Sequence, residues 1–208
     1  MSNEQNGRGT FVVFEGGEGS GKSTQAALLA ERTGAVLTRQ PGGTAIGMRV
    51  RELLLSPDTV GLSDRAEALL MAADRAQHVA ELIEPTLASG TDVICDRYMA
   101  SSLAYQGAGR SLGVEAVTEL SLFAIDGLTP DVVFLLDVPV DVSRSRVGDV
   151  QDRLERLDDD FHDRVRTTFN ELAAGHPDRW VVIDGTLPVD EVTAAIDKVM
   201  LERFGWST

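Results

Sequence analysis

The run Gly16-Gly17-Glu18-Gly19-Ser20-Gly21-Lys22-Ser23, with Thr24 behind it, has the Gly-x-x-x-x-Gly-Lys-Ser spacing of a Walker A loop. Glycines let successive backbone N–H groups point into one concavity, where a side chain would block an anion. The apolar run FVVF before the loop reads as a strand, and the stretch after it as a helix whose free N–H groups and dipole add to the anion field. Lys22 suits the β- and γ-phosphates of a nucleoside triphosphate, and the Ser23 hydroxyl suits Mg²⁺. The dinucleotide pattern G-x-G-x-x-G does not fit, because counting from Gly17 puts Lys22 where the third glycine belongs. Glu18 is out of place beside a triphosphate, since two anions repel. It needs a hydroxyl or a cation to contact, such as the sugar of a second substrate, or else it points to solvent.

A second constellation lies in DVICDRYMASSLAYQGAGR, where an apolar strand delivers Asp96 and Arg97 at its C-terminal end. Ligands of open α/β sheets bind at such ends. Walker A loops serve switches, motors and kinases. The guanine-reading N-K-x-D of a GTP switch does not occur, and the chain is short for a motor. A small-metabolite kinase remains, and its second substrate needs cations of its own.

The elements that must position these residues alternate between β-branched runs and helical stretches, the pattern of a parallel α/β sheet. Five strands are expected at Phe11–Glu15, Ala35–Thr38, Asp92–Asp96, Val132–Asp137 and Trp180–Asp184, each covered on both faces. Helices are expected at Lys22–Arg32, ended by Gly34, at Leu62–Ala88 with Ser63 as N-cap and a kink at Pro85, at Val114–Ile125 and at Val189–Arg203. Arg51 falls on a further helix after PGGT. The charged segment about 144–160 is either a helix-flanked lid or a solvated turn. Without repeats or linker-like tracts, residues 1–208 read as one domain.

Composition narrows the partners. A net charge of −14 excludes general nucleic-acid binding, which needs a basic footprint, and demands that cations be concentrated locally for any anionic substrate. Lys22 and Lys198 are the only lysines among 19 basic residues. That bias fits a GC-rich genome, with adaptation to salt as the alternative. No apolar run is long enough to span a bilayer, and MSNEQNGRGT lacks a signal peptide's apolar core, so a cytoplasmic protein without membrane partners is expected. Cys95 reads as a buried, inert thiol, and the 3 histidines show no metal-ligand spacing.

The chain is similar to the thymidylate kinase family in FEGGEGSGKST, TRQPGGTAIGMRVRELLL, AADRAQH, CDRYMASSLAYQG and DRLERLDDDFH, in that order. The Asp-Arg-Tyr and Ser-Ser-x-Ala-Tyr-Gln block is specific to that family; the Walker A loop is not. The resemblance implies a P-loop nucleoside-monophosphate-kinase fold, with a five-stranded parallel sheet flanked by helices and a lid, and transfer of a phosphoryl group from ATP to dTMP with Mg²⁺. It makes Arg97 and Arg51 the clamp on the dTMP phosphate, for which the planar guanidinium fork is suited. Glu18 would accept the deoxyribose 3′-hydroxyl. Arg75 would bond a thymine carbonyl, Ser102 and Gln106 would read the base edge, and Tyr105 would line the sugar site. Asp96, with Ser23, would place Mg²⁺. Asp137, which ends VFLLD like a Walker B acid, would yield that place to Asp96 and be structural or act on the metal site only through other residues. Asp184 to Leu187 would flank the adenine, and a homodimer formed by helix packing is implied.

Two positions depart from the family pattern. Met71 stands where an aromatic ring commonly stacks on thymine, and Gln40 where bacterial relatives often carry Glu. A thioether is apolar and polarizable but cannot stack, so base selectivity is put in doubt. Members without a basic residue at the Gly19 position draw a catalytic arginine from the lid, and among Arg144, Arg146, Arg153 and Arg156 the resemblance favours Arg153, delivered to ATP as the lid closes. The rival readings are a nucleoside-monophosphate kinase with another base preference and a non-catalytic nucleotide-binding module.

Overall fold

The computed structural model describes residues 7–148 and 152–206. The first residues of MSNEQNGRGT and residues 149–151 of the expected lid lie outside that range.

Five strands form one parallel sheet: β1 (Phe11–Glu15), β2 (Val36–Arg39), β3 (Val93–Asp96), β4 (Val132–Asp137) and β5 (Trp180–Asp184), in the spatial order β2-β3-β1-β4-β5. Fully buried β1 is central, and its neighbours β3 and β4 are wound in opposite directions from it. The crevice at that switch point opens at the strand ends carrying Glu15, Asp96 and Asp137. Three of the expected strands match to the residue, and β2 and β3 each begin one residue later than expected. Complete covering holds for β1 and nearly for β3 and β4. It fails at the edges, where β2 and β5 are only partly buried because each has one neighbour.

On one face, Val12, Phe14 and Phe134 pack against α1 (Lys22–Thr33) and α9 (Val189–Phe204) through Leu29, Ile196 and Met200. Gly34 ends α1 in the left-handed conformation at φ 73, as its position predicts. On the other face, Phe11, Val13 and Cys95 meet Val79, Ile83, Tyr98 and Ile125. Burial pushes the Cys95 thiol well up, so it is inert.

The long helix expected at Leu62–Ala88 is one helical run with a widened turn: α3 (Asp64–His78), a π-helical stretch at Val79–Ile83 and α4 (Glu84–Ala88). Ser63 Oγ accepts from Ala66 N–H, as a cap should. Pro85 has no N–H to give the preceding turn, and the chain accommodates it by bonding Glu84 N–H to Val79 C=O, five residues back. A second π-helical stretch, Leu103–Gly109, continues the short α5 (Met99–Ser102) and leads to α6 (Val114–Ile125). The remaining helices are α2 (Ala45–Leu55), α7 (Val140–Arg146) and α8 (Asp159–Gly175). Sequence reading assigned no element to α8. Its charged exterior hides a stripe of Phe161, Val165 and Phe169 at four-residue spacing, which packs with Tyr105, Leu135 and Leu154.

Candidate functional site

The strand–loop–helix unit β1–α1 presents the Walker A loop at the switch point. Gly16 and Gly19 hold φ of 141 and 65, which favour glycine. A Cβ on Gly19 would stand 2.7 Å from Ser143 C=O of α7, so any side chain there would force the loop or α7 to shift. Lys22 is 5% exposed and donates to Gly17 C=O at 2.5 Å and Ser20 Oγ at 3.2 Å. Burial, and then the Arg97 charge, lower its pKa to about 8. Ser20 is buried beneath the loop, while Ser23 and Thr24 are exposed at its mouth.

Across the crevice, Arg97 adopts the left-handed conformation at φ 69, uncommon for a residue with a side chain. This turns the guanidinium back onto the loop, where it donates to Gly16 C=O at 2.9 Å, to Ser101 Oγ at 3.1 Å and to Glu18. Tyr105 O–H also donates to Glu18, at 3.2 Å, and its ring lies 5.1 Å beneath the Arg97 guanidinium. Burial would raise the Glu18 pKa, but Arg97 and Lys22 outweigh it and hold the carboxyl below its usual range. Glu18 therefore does find a cation. The turn carrying Arg97 is pinned from below by buried Glu15, which accepts from Tyr98 N–H at 2.9 Å and Ser101 Oγ at 2.6 Å. Glu15 was not anticipated; as the last residue of an apolar strand it carried no distinguishing spacing.

A cavity of about 170 Å³ joins Glu18, Lys22 and Ser23 to Arg51, Met71, Arg75, Asp96, Arg97, Ser102, Tyr105 and Gln106, so the expected acceptor residues and the key loop residues share one space. Arg51 is held by Pro41 C=O at 2.9 Å, and Arg39, not anticipated, adds a cation to the same wall. Arg75, 2% exposed, donates from Nη2 to Ser102 Oγ at 2.7 Å, from Nε to Gln40 Oε1 at 3.0 Å and from Nη1 to Ser121 Oγ at 3.3 Å. Met71 packs its side chain beside the Tyr105 cluster. Gln40 further donates to His78 Nδ1 at 3.0 Å, whose Nε2 lies 2.7 Å from Thr38 Oγ1, which keeps His78 structural.

The donor set fits Mg²⁺. Ser23 Oγ donates to Asp96 Oδ2 at 2.5 Å, and Asp96 Oδ1 is buried without a hydrogen-bond partner among the described residues. One carboxylate and one hydroxyl suffice for an ion that keeps several waters and shares the phosphates. Asp137 is taken up by Arg166, at 2.8 Å to each oxygen, and is structural.

Arg153 is held by the end of α2 and by α3. It does not line the cavity beside Lys22; it donates to buried Glu67 at 2.5 Å and to Leu54 C=O at 2.8 Å. A fully buried carboxylate has to be compensated by cations, and Arg153 and Arg110 supply them. Arg144 pairs with Asp159 at 2.6 Å. Arg146 donates to Gly185 C=O at 2.7 Å, in the loop expected to flank adenine, and its Cβ lies 3.3 Å from where a Gly19 Cβ would stand. It is thus an arginine at the end of α7 that borders the phosphate loop. Glu67 was also missed, although it precedes Met71 by four residues and Arg75 by eight on one helical face.

The family model described as Thymidylate kinase matches residues 14–196. The chain belongs to the thymidylate kinase family. It is 48% identical to a thymidylate kinase of Cutibacterium acnes, over 90% of this chain and 94% of the relative, and 42% identical to one of Latilactobacillus sakei, over 93% and 95%. Its fold matches a crystal structure of thymidylate kinase from Ehrlichia chaffeensis with a TM-score of 0.77 at 34% identity, covering 93% of this chain and 99% of that one. The match spans the loop, the Asp-Arg-Tyr block and the helix that carries Met71 and Arg75, so the two departures sit inside a thymidylate kinase frame.

Proposed function

We infer from the family and the site that the chain is an ATP:dTMP phosphotransferase, yielding ADP and dTDP for nucleotide biosynthesis. The observation that carries this reading is the single cavity joining Lys22 and Ser23 to a second set of cations, Arg51, Arg75 and Arg97. A protein that only bound ATP would not need the second set.

The acceptor phosphate is already a nucleophile at neutral pH, so the task is to bring two anions in line and spread the charge of a loose transition state. The loop from Gly16 to Thr24 holds the ATP phosphates, with Lys22 on the β and γ groups. Arg97 and Arg51 clamp the dTMP phosphate, and Arg97 borders both substrates. Glu18 takes the 3′-hydroxyl beside Tyr105. Arg75 and Ser102, already bonded to each other, face the thymine edge with Gln106, and Met71 covers the ring without stacking. When bound at Ser23 and Asp96, Mg²⁺ supplies charge neutralisation between the transferring phosphates. The chain works as one kinase domain with its lid at about 144–160.

Among the described residues no helix is long and apolar enough to cross a membrane, which supports a cytoplasmic enzyme. Leu69 on α3 and Leu122 and Phe123 on α6 are exposed, at 58%, 50% and 88%, and support a homodimer packed helix on helix. Light scattering after size exclusion tests the dimer. The activity is tested by ADP production from ATP and Mg²⁺ with dTMP, dUMP, UMP, CMP, AMP and GMP in parallel. Turnover dominated by dTMP supports the reading. A different preferred base moves the assignment to another monophosphate kinase, the alternative that Met71 favours, and turnover with none of them leaves a nucleotide-binding module.

A further inference from the structure

We propose that Glu67 is a positioning residue that sets base selectivity: it locks the Gln106 amide in one orientation, and the lid supplies part of the lock through Arg153. The inference rests on Gln106 facing the base of the acceptor nucleotide.

Glu67 is 0% exposed in the first turn of α3, and its two oxygens accept from two chain segments. Oε1 accepts from Gln106 Nε2 at 2.8 Å and from Arg110 Nε at 3.3 Å. Oε2 accepts from Arg110 Nη2 at 3.0 Å and from Arg153 Nη2 at 2.5 Å. Arg110 thus bridges both oxygens, while Gln106 and Arg153 each hold one. Burial alone would favour the neutral acid, but the hydrogen bonds from Arg110, Gln106 and Arg153 outweigh it and hold the carboxyl below its usual range. The lid end is fixed independently at the C-terminus of α2, where Arg153 N–H donates to Leu55 C=O at 3.2 Å and Arg153 Nε to Leu54 C=O at 2.8 Å.

An ionised carboxylate only accepts hydrogen bonds, so Gln106 must turn its NH₂ toward Glu67. Its carbonyl oxygen is then the group left for the cavity, where it accepts no hydrogen bond from the described residues. A lone acceptor matches the imide N3–H of thymine. Cytosine has an unprotonated N3 at that place and would set acceptor against acceptor, leaving both unpaired. Gln106 is ambivalent as a residue type; Glu67 removes the ambivalence. Because Arg153 neutralises the same carboxylate from the lid, placement of the lid and reading of the base share one buried charge.

The test compares kcat/KM for dTMP and dCMP in the wild-type enzyme, Glu67→Gln and Arg153→Met, with KM for ATP and melting temperature measured alongside. A neutral amide at 67 can donate as well as accept, so Gln106 can turn over. We expect the dTMP/dCMP ratio to fall about tenfold or more in Glu67→Gln, short of the full discrimination that an acceptor–donor match can give, because Arg75 is untouched. Arg153→Met should lower the ratio in the same direction with KM for ATP changed less than about twofold, since the guanidinium touches Glu67 and not the Walker A loop. Unchanged ratios in a folded Glu67→Gln overturn the proposal. If that variant does not fold, Arg153→Met decides: a fall in kcat with the ratio intact would place Arg153 on the ATP phosphates instead. Failure of the wild-type enzyme to use dTMP would sink the kinase reading itself, a separate outcome.

Discussion

Ser23 Oγ and Asp96 Oδ2 lie 2.5 Å apart, joining the loop after β1 to the end of β3 across the sheet's switch point. The other oxygen of Asp96 is buried without a partner among the described residues, an arrangement that costs free energy unless a cation or its water shell completes it. Asp96→Asn keeps the shape and the Ser23 bond and removes the charge. It should raise the Mg²⁺ concentration for half-maximal activity by about tenfold, in the range that loss of a supporting carboxylate usually costs. KM for dTMP should stay near the wild-type value. A Mg²⁺ titration at fixed ATP and dTMP decides it, and superimposable curves would contradict the assignment.

Lys22 gives a prediction in pH. Burial, reinforced by Arg97, lowers its pKa to about 8, whereas Glu18, Asp96 and Glu15 pull the other way without restoring it. A bound triphosphate favours the charged amine and raises that pKa again. Above pH 8 the free enzyme has lost the proton that the complex holds, so binding must take one up and ATP affinity must fall as pH rises. Calorimetry at pH 9 in buffers of different ionisation enthalpy should show uptake approaching about one proton per ATP, and close to none at pH 7. Lys22→Met should abolish the difference. Proton uptake that is the same at both pH values would contradict the lowered pKa.

Much of this site was legible because the residues proposed to touch phosphate announce themselves by type and spacing. Gly16 to Thr24 and the Asp96-Arg97 pair are contiguous in sequence and sit at strand ends, so local reading sufficed. The sheet was legible because β1, β3 and β4 are nearly unbroken apolar runs. What escaped is what the tertiary structure brings together. Glu15 and Glu67 look like ordinary acids in sequence, and their importance lies in donors from residues 98–101 and from 106, 110 and 153. Arg153 was assigned to ATP by its motif, yet a buried carboxylate 86 positions away holds it in this structure. The α8 helix was hidden because seven charged or amide side chains surround its apolar stripe, and the π-helical stretch that aims Tyr105 and Gln106 has no signature in spacing at all.

Gly19 tests how tightly the loop and α7 are fitted. Its φ of 65 disfavours any side chain, and a Cβ would approach Ser143 C=O to 2.7 Å and Arg146 Cβ to 3.3 Å. Ser143 Oγ also donates to Glu18 C=O, so α7 cannot withdraw without losing that bond. Gly19→Ala should cost about 1–3 kcal/mol of strain, lowering the melting temperature by roughly 2–10 °C. KM for ATP should rise more than KM for dTMP, because the displaced backbone is the one proposed to hold the ATP phosphates. A variant with wild-type melting and kinetics would mean the loop has room that the geometry denies it.

The Gln40 departure has a consequence in His78. Arg75 can only donate, so it fixes Gln40 Oε1 toward itself at 3.0 Å and Nε2 toward His78 Nδ1, also at 3.0 Å. Nδ1 is therefore the bare nitrogen, and Nε2–H faces Thr38 Oγ1 at 2.7 Å. Burial, then the Arg75 charge, lower the His78 pKa to about 4, with Glu81 opposing. Since the unfolded ring titrates near its ordinary value, stability attributable to this neutral histidine is present above about pH 6.5 and is lost as pH falls toward 4. Asp74, raised to about 6 by burial, contributes with the opposite sign over much of the same range, so an acid melting curve would mix the two. Ring NMR separates them: His78 should show the Nε2–H tautomer and stay neutral at pH 5. Gln40→Glu puts an acceptor against Nδ1, which then requires a proton, and should raise the His78 pKa by more than about one unit. An unshifted titration in that variant would show that Gln40 does not govern the ring, and would leave the amide at position 40 unexplained by its neighbours.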